Sequence, residues 1–556
     1  MKAIKKFLVL MMAAVLCLGV FGTFAGCDEA GDVKIDETKT QIYVFNFSGG
    51  FGVEWLDAVI KRFEEDFKNY PGLDGKVGVQ VIPDNQKITG TGVLSSMAGN
   101  KNYVLFTEGI NYFDFVSQGV CLDLTEMLNE TLTQYDETRS IMDKMSPVMQ
   151  ESLKVGTDEK VYMVPHYAGY NGITLDIDLM DAKSLFLGKD GRFNYKSTDT
   201  DKLSAGQDGK FGTYDDGLPA TYEEFFALVR ELNQVSTPFA WSGQHNWYVS
   251  QMMAGLAANA MGPDHAEAWY TYNDASFPVV KTNTIQNNPN SPWSLTYETE
   301  TVTLTEANGY EVFRNPGFLT ALSFVEAIVD NGYFTRSSFT GGVQHTDIQN
   351  EFLQSRLDTE AFDKPIAMLI EGCWWEQEAA QTLKDLDDYY GDCGRMDRRL
   401  RFLPFPQVNE SAIGSGQVLL ESNNCYGFVN AKTPAEYQEL SLAFLQYCNT
   451  DVSLREFTTI TNTTKALNYT LTEADRAQMS YFGKSIMDIQ EAEGTKIVYP
   501  IANNATLKAK KNTLGNQDIW KMSATVGTPS AYFKDSASNT AINYFTTLAN
   551  AWKASW

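Results

Sequence analysis

Hydrophobic positions change period several times along the chain, and the changes mark its elements. Gln41-Ile-Tyr-Val-Phe-Asn-Phe47 has the β-branched and aromatic density of a buried strand. Ser48-Gly-Gly-Phe-Gly52 then turns the chain. Trp55, Leu56, Val59, Ile60, Phe63 and Phe67 recur at helical spacing, with Lys61, Glu64, Glu65 and Lys68 opposite, and Pro71-Gly72 stops that helix. Val77 to Ile82 reads as the next strand. Strand, helix and strand at this spacing form a βαβ unit, which implies α/β architecture and a mostly parallel sheet with helices on its faces.

The same grammar continues. Tyr103 to Phe106 reads as a strand, and Tyr112 to Leu122 as a short helix and turn. Lys160 to Pro165 and Gly172 to Asp176 are apolar runs flanking a polar, aromatic stretch. Thr221 and Glu224 fit a capping box, opening a helix with Phe225, Phe226, Leu228, Val229 and Leu232 on its buried stripe. Thr433, Pro434 and Glu436 predict a second capping box and a helix to Cys448. Residues from about 180 to 220 are rich in Asp, Gly and Lys and read as an inserted loop.

The N-terminus breaks this pattern. Lys2, Lys5 and Lys6 precede an apolar run from Phe7, and no further charge appears until Asp28. Residues 1–26 read as an export signal. Phe24-Ala-Gly-Cys27, with a polar tether over 27–36, resembles a bacterial lipobox, whose Cys is diacylated. Phe24 replaces the usual aliphatic residue. The expected address is the extracellular face of a bacterial cell membrane, with the protein anchored through Cys27. No other run approaches the roughly 18 uninterrupted apolar residues of a membrane span.

Composition narrows the class. At roughly 150 residues per domain, 556 residues suggest two to four domains. With 43% hydrophobic and 21% charged residues, disorder, collagen and a membrane bundle are excluded. The net charge of −26 argues against a nucleic-acid partner, because phosphate binding needs a basic face. Outside the signal and Cys27, the cysteines are Cys121, Cys373, Cys393, Cys425 and Cys448. They form no C-x-x-C pair, so neither a zinc ribbon nor a dense disulfide framework is expected, and a single bridge such as Cys373–Cys393 stays open.

Little in the sequence points to catalysis. Gly49-Gly50-Phe51-Gly52 lacks the third glycine of a dinucleotide loop and the Lys-Ser/Thr of a P-loop. His166, His245, His265 and His345 show no metalloprotease spacing, no G-x-S-x-G elbow occurs, and nothing selects a glycosidase carboxylate pair. No cofactor is required. One loop is more suggestive: Asp208, Asp215 and Asp216, on a Gly-rich turn, are candidate ligands for a structural Ca²⁺, with a solvated turn cluster as the alternative. Trp374 and Trp375 end an apolar strand, which places one indole toward a cleft and one in the core. Aromatic platforms with polar neighbours suit sugars, and Trp241 and Trp247 are further candidates on composition.

Taken in order, several segments resemble the extracellular solute-binding lipoproteins of bacterial ATP-driven importers, in their carbohydrate branch. They are the lipobox; Ile42–Phe47 with the Phe63-Glu-Glu65 helix; Gly119 to Leu124; Asp158 to Pro165; Pro219 to Phe225; Ala367 to Trp374; and Phe402 to Pro406. The resemblance implies a two-lobed α/β fold with a hinge and an interlobe ligand cleft. By position, 37–166 and 427–496 make the first lobe, and 167–426 and 497–556 the second. It implies a monomeric receptor, not an enzyme, that captures an oligosaccharide and delivers it to the transmembrane subunits of an ABC permease. Trp374 matches the family's sugar-stacking position; His166, Tyr167, Tyr170 and Asn171 occupy the hinge-side contact segment. Glu108 falls near the family's charged contacts, whereas Phe47 to Phe51 replace polar contacts with aromatics and glycine. A cell-surface glycoside-active enzyme, or a receptor of the same fold for a non-sugar solute, are the alternatives.

Overall fold

The computed structural model describes residues 34–99, 101–288, 291, 293–509, 520 and 527–556. The export signal and Cys27 lie outside these residues. Two sheets organise the rest. The first has the order Val79–Gln86, Thr40–Phe47, Val104–Thr107, Tyr426–Val429, Val164–Pro165. Its first three strands run parallel, with Ile42 opposite Val81 and Val44 opposite Val104, so the βαβ reading holds. Tyr426–Val429 returns late in the chain and pairs antiparallel to both neighbours.

The helix Glu54–Asp66 crosses between the first two strands and buries Trp55, Leu56, Val59 and Phe63, four positions of the predicted stripe. Its Glu64 accepts the Val81 N–H at 2.9 Å, which ties helix to sheet. Fully burying a ring such as Phe63 contributes about 1.5–3 kcal/mol. The predicted capping box at Thr221 and Glu224 forms in both directions and opens the helix Tyr222–Val235. The second does not form. Pro434 is the N-cap of Ala435–Tyr447 and no side chain caps it, because the Thr433 hydroxyl turns to the Tyr103 carbonyl instead.

The second sheet has the order Leu400–Phe402, Asn171–Asp176, Ile366–Gly372, Thr237–Ala240. Every residue of Ile366–Gly372 is buried, as a central strand covered on both faces must be. Met368 and Ile370 enter the second core with Ile173 and Leu175. Leu369, Trp375 and Phe402 join the apolar cluster that begins under the first sheet. The helix Tyr481–Glu491, within the stretch assigned by position to the first lobe, packs on this second sheet: Ser485 accepts the Phe402 N–H at 2.9 Å.

Three segments cross between the sheets and bond to one another. Ser422 donates its N–H to the Gly169 carbonyl at 2.8 Å, and Glu421 to that of Val498 at 3.0 Å. The stretch expected as an inserted loop is anchored, with Phe186, Leu187, Leu203 and Leu218 in or against the second core and a small hairpin at Phe186–Leu187 and Phe193–Tyr195. One apolar helical stretch, Glu306–Asp330, is long enough to cross a membrane by composition, and 78% of its most apolar window is buried in the protein.

Candidate functional site

Parallel strands of both sheets end toward the same junction. Thr40–Phe47 runs into the turn Ser48–Gly52, Val104–Thr107 into Glu108, and Ile366–Gly372 into Cys373, Trp374 and Trp375. Ligand clefts in α/β proteins lie at the carboxyl ends of strands, where side chains leave the sheet without a ladder to interrupt.

The strand ends at Gly372, so the two indoles lie beyond its alternation. Trp374 is the N-cap of the short helix Trp375–Glu378 and Trp375 its first residue, and both are buried. Trp375 is fully buried and donates to the Thr174 hydroxyl at 3.0 Å. Trp374 turns into the junction, where two glycines leave space for its ring. A Cβ on Gly50 would sit 2.3 Å from its ring, and one on Gly372 2.2 Å. Phe51 of the first-sheet turn approaches it at 6.1 Å between centroids, Tyr248 of the second half at 6.3 Å. Both halves of the chain therefore meet at Trp374, which is only 6% exposed.

Phe51 packs on Tyr167 at 4.0 Å, and the Tyr167 hydroxyl donates to Glu108. Phe47 is half-buried under the turn, its ring against Gly49. Asn171, buried opposite Gly372 in the sheet, donates its amide to Gln251 and to the Ser422 hydroxyl, while its Oδ1 accepts no hydrogen bond. Trp247 is 40% exposed and stacks on Tyr248 at 3.9 Å, an aromatic platform at the edge of the site.

Other candidates fall elsewhere. His166 points into the first core, its ring 4.9 Å from both Trp55 and Phe106 and its Nδ1 2.8 Å from Lys465 Nζ. Burial, and then Lys465, hold this imidazole well below its ordinary pKa. Tyr170 is buried at the crossing, where its hydroxyl accepts from Gln490 at 3.1 Å. Trp241 is a core residue between Phe334 and Phe339. Asp208, Asp215 and Asp216 shape their own turn. Asp215 accepts the Asp208 N–H and the Thr213 hydroxyl, and Asp216 accepts the Gly212 N–H. Among the described residues no group of three acidic, His or Cys side chains converges to hold a metal ion. All five described cysteines are buried free thiols, so Cys373 and Cys393 are not bridged.

Sequence reasoning missed the carboxylates around Trp374. Glu371 is 1% exposed, and its Oε1 accepts the Gly372 N–H at 3.0 Å. Glu378 accepts from Gln349 at 2.9 Å and lies 3.7 Å from His345 Nε2. Desolvation raises both, with Glu378 pushing Glu371 well above the carboxylate range and Glu378 itself going to about 7. Glu108 is pushed up to about 7 by desolvation, further raised by Glu378 and lowered by Tyr167. Glu421, at the crossing, is also pushed up to about 7 by burial although the Asn423 N–H donates to it. The available signal was a lone Glu in the apolar run Ile366–Gly372.

No family model and no curated protein matches the sequence. Solved structures do. RafE in complex with raffinose aligns over 93% of this chain and all of its own, with a TM-score of 0.54 and 14% identity. The maltose-maltodextrin binding protein of Alicyclobacillus acidocaldarius aligns over 92% of this chain and all of its own, at 0.51 and 13%. A probable secreted solute-binding lipoprotein from Streptomyces coelicolor aligns over 93% and 100%, at 0.53 and 11%. At such identities the likeness is one of fold, and the chain has the two-lobed α/β fold of these solute-binding proteins.

Proposed function

We propose that the protein is a lipid-anchored, monomeric receptor on the outer face of a bacterial membrane. It captures an oligosaccharide between its lobes and delivers it to the transmembrane subunits of an ABC permease, without performing chemistry on it. The observation that carries this reading is the meeting of both halves at Trp374, where rings and hydrogen-bond acceptors from each lobe surround one slot. Rings offer flat faces to the C–H side of a sugar, and the acceptors around them suit its hydroxyls. RafE in complex with raffinose and the maltose-maltodextrin binding protein share this fold, which supports the class of solute.

In this reading, opening about the three crossing segments admits solute and closure presents it. The small Gly50 and Gly372 let the lobes approach across the Trp374 ring. Cys27, preceded by a basic and apolar leader, supports the lipid anchor. Calorimetric titration against plant, host and starch oligosaccharides, followed by recovery of the sugar, tests the proposal. Saturable heat with intact sugar is the expected result. Cleaved sugar would replace the receptor by a glycoside-active enzyme, and absence of heat across the panel would remove sugars as the solute.

A further inference from the structure

One cavity lies apart from the junction at Trp374, within the second lobe. Its volume is about 170 Å³, and its wall includes the rings of Tyr222, Trp293 and Tyr297, the side chains of Leu319 and Ser294 and, exposed at the rim, Glu223. Two helices hold the key ring in place. Tyr222 is the first residue of the helix Tyr222–Val235, whose Phe226 stacks on Trp293 at 4.9 Å between centroids and whose Arg230 lies over the same ring at 5.1 Å. The helix Pro316–Asp330 supplies Leu319, and its Ser323 hydroxyl donates to the Trp293 carbonyl at 3.1 Å. Trp293 is therefore fixed at its backbone and its ring, and stays half-buried.

A second observation points to a ligand. Tyr222 is 4% exposed and lines the cavity; burial, then the neighbouring Tyr297, push its phenol above the ordinary value, and no hydrogen bond offsets them. A buried hydroxyl without a partner is costly and marks a place where a ligand atom belongs. At ~30 Å³ per water the cavity has room for about five waters or one six-membered ring, and it falls short of the roughly 300 Å³ at which sites for larger solutes begin. Water gains little against aromatic faces, whereas a pyranose offers them its C–H side and keeps hydroxyls for the rim. Among the described residues no lysine or arginine lines the wall, so a phosphate or carboxylate would find no cation there. A sugar hydroxyl both donates and accepts, and so matches Tyr222 and Ser294 without burying a charge.

We propose that this cavity is a second sugar site, taking one neutral pyranose unit with its C–H face on Trp293 and a hydroxyl bonded to Tyr222. All of its wall belongs to one lobe, so binding here needs no closure, and its failure would leave the reading of the junction standing. The protein is labelled with fluorotryptophan, the Trp293 resonance is assigned from Trp293→Phe, and methyl glycosides of glucose, galactose, mannose and xylose are titrated, with phenol as the aromatic control. At least one glycoside is expected to shift the Trp293 signal saturably, with a Kd of about 1 mM, the weak scale of a single small ring. Trp374→Ala should retain that shift. Tyr222→Phe, which keeps the ring and removes the hydroxyl, should weaken binding about two- to tenfold, the range of one hydrogen bond, at an unchanged melting temperature. A Trp293 signal unmoved by every glycoside would overturn the proposal. So would a shift caused by phenol alone, which would make this a site for an aromatic side chain, or full affinity in Tyr222→Phe. Loss of the shift in Trp374→Ala would also overturn it, by placing the sugar at the junction.

Discussion

Two carboxylates on adjacent strands of the second sheet are equally buried and treated in opposite ways. Asp176 and Glu371 are each 1% exposed. Asp176, where its strand passes into the helix Ile177–Lys183, caps that helix through the Leu179 N–H at 3.0 Å. It also meets Arg398 at 2.9 Å and Arg356 at 3.4 Å. Glu371, at the end of the next strand that faces Trp374, accepts the Gly372 N–H and pairs with no cation among the described residues. A buried charge is tolerated in a scaffold only when paired. The difference therefore separates an end of the sheet where a carboxylate is paired with two guanidinium groups from one where burial without a cation pushes the carboxyl well above its usual range.

The largest effect should come from breaking the paired end. Asp176→Ala strands Arg398, itself 1% exposed, and removes a helix cap; the expected loss is about 3–5 kcal/mol in denaturant unfolding. A loss below about 1 kcal/mol would show that the two ends are not energetically distinct, because that is the scale of an exposed pair.

The unpaired end should respond to pH with a definite sign. Glu108, Glu371 and Glu378 are all raised in the folded chain above their ordinary carboxylate values, Glu108 and Glu378 to about 7. The folded state thus binds more protons than the unfolded one once the pH exceeds about 4.5, so its stability falls as pH rises from there through 7 and is flat below. Melting curves between pH 4 and 8 should show this decline. Glu371→Gln should flatten it and raise the melting temperature at pH 8. A steeper decline in that variant would mean that Glu371 is ionised and compensated by a group other than those described above.

These contrasts explain what the sequence made legible. The helix Glu54–Asp66 and its flanking strands were readable because one apolar stripe and two β-rich runs are local patterns, and packing agreed with them. Trp374 was singled out by its position two residues after Gly372 in a resemblance to a family, and the structure places it where both halves of the chain meet. Glu371 was not, since an acidic residue in a run of apolar ones signals a site only once the ends of both sheets are brought together. His166 and Trp241 had the right chemistry and the wrong surroundings, because burial in a core is decided by partners distant in sequence. Thr433 lost its capping role to the Tyr103 carbonyl, also a long-range competitor.

The ring side of the cleft sharpens the comparison at smaller amplitude. Trp374→Ala empties a slot between the lobes rather than within either sheet, so affinity should fall at least tenfold, about 1.4 kcal/mol, while circular dichroism stays native. Unchanged affinity would move the site away from the junction. Trp247, 40% exposed and stacked on Tyr248, contributes less: Trp247→Ala should weaken binding by about two- to tenfold, the range of a single aromatic contact.

The smallest expected effect concerns a third kind of buried carboxylate. Asp215 is fully buried with no cation, like Glu371, yet its oxygens are occupied by the Asp208 N–H and the Thr213 hydroxyl. Burial and then Asp208 push it up to about 6 even though both donors favour the charged form. A carboxylate satisfied by its own turn has no need of a metal, and Asp216 is spent in the same way on Gly212. Chelator should therefore leave the melting temperature unchanged, and added Ca²⁺ should not raise it. A rise of several degrees with Ca²⁺ would show that the turn rearranges to gather Asp208, Asp215 and Asp216 around the ion, and would place this loop beside Asp176 as part of the paired scaffold.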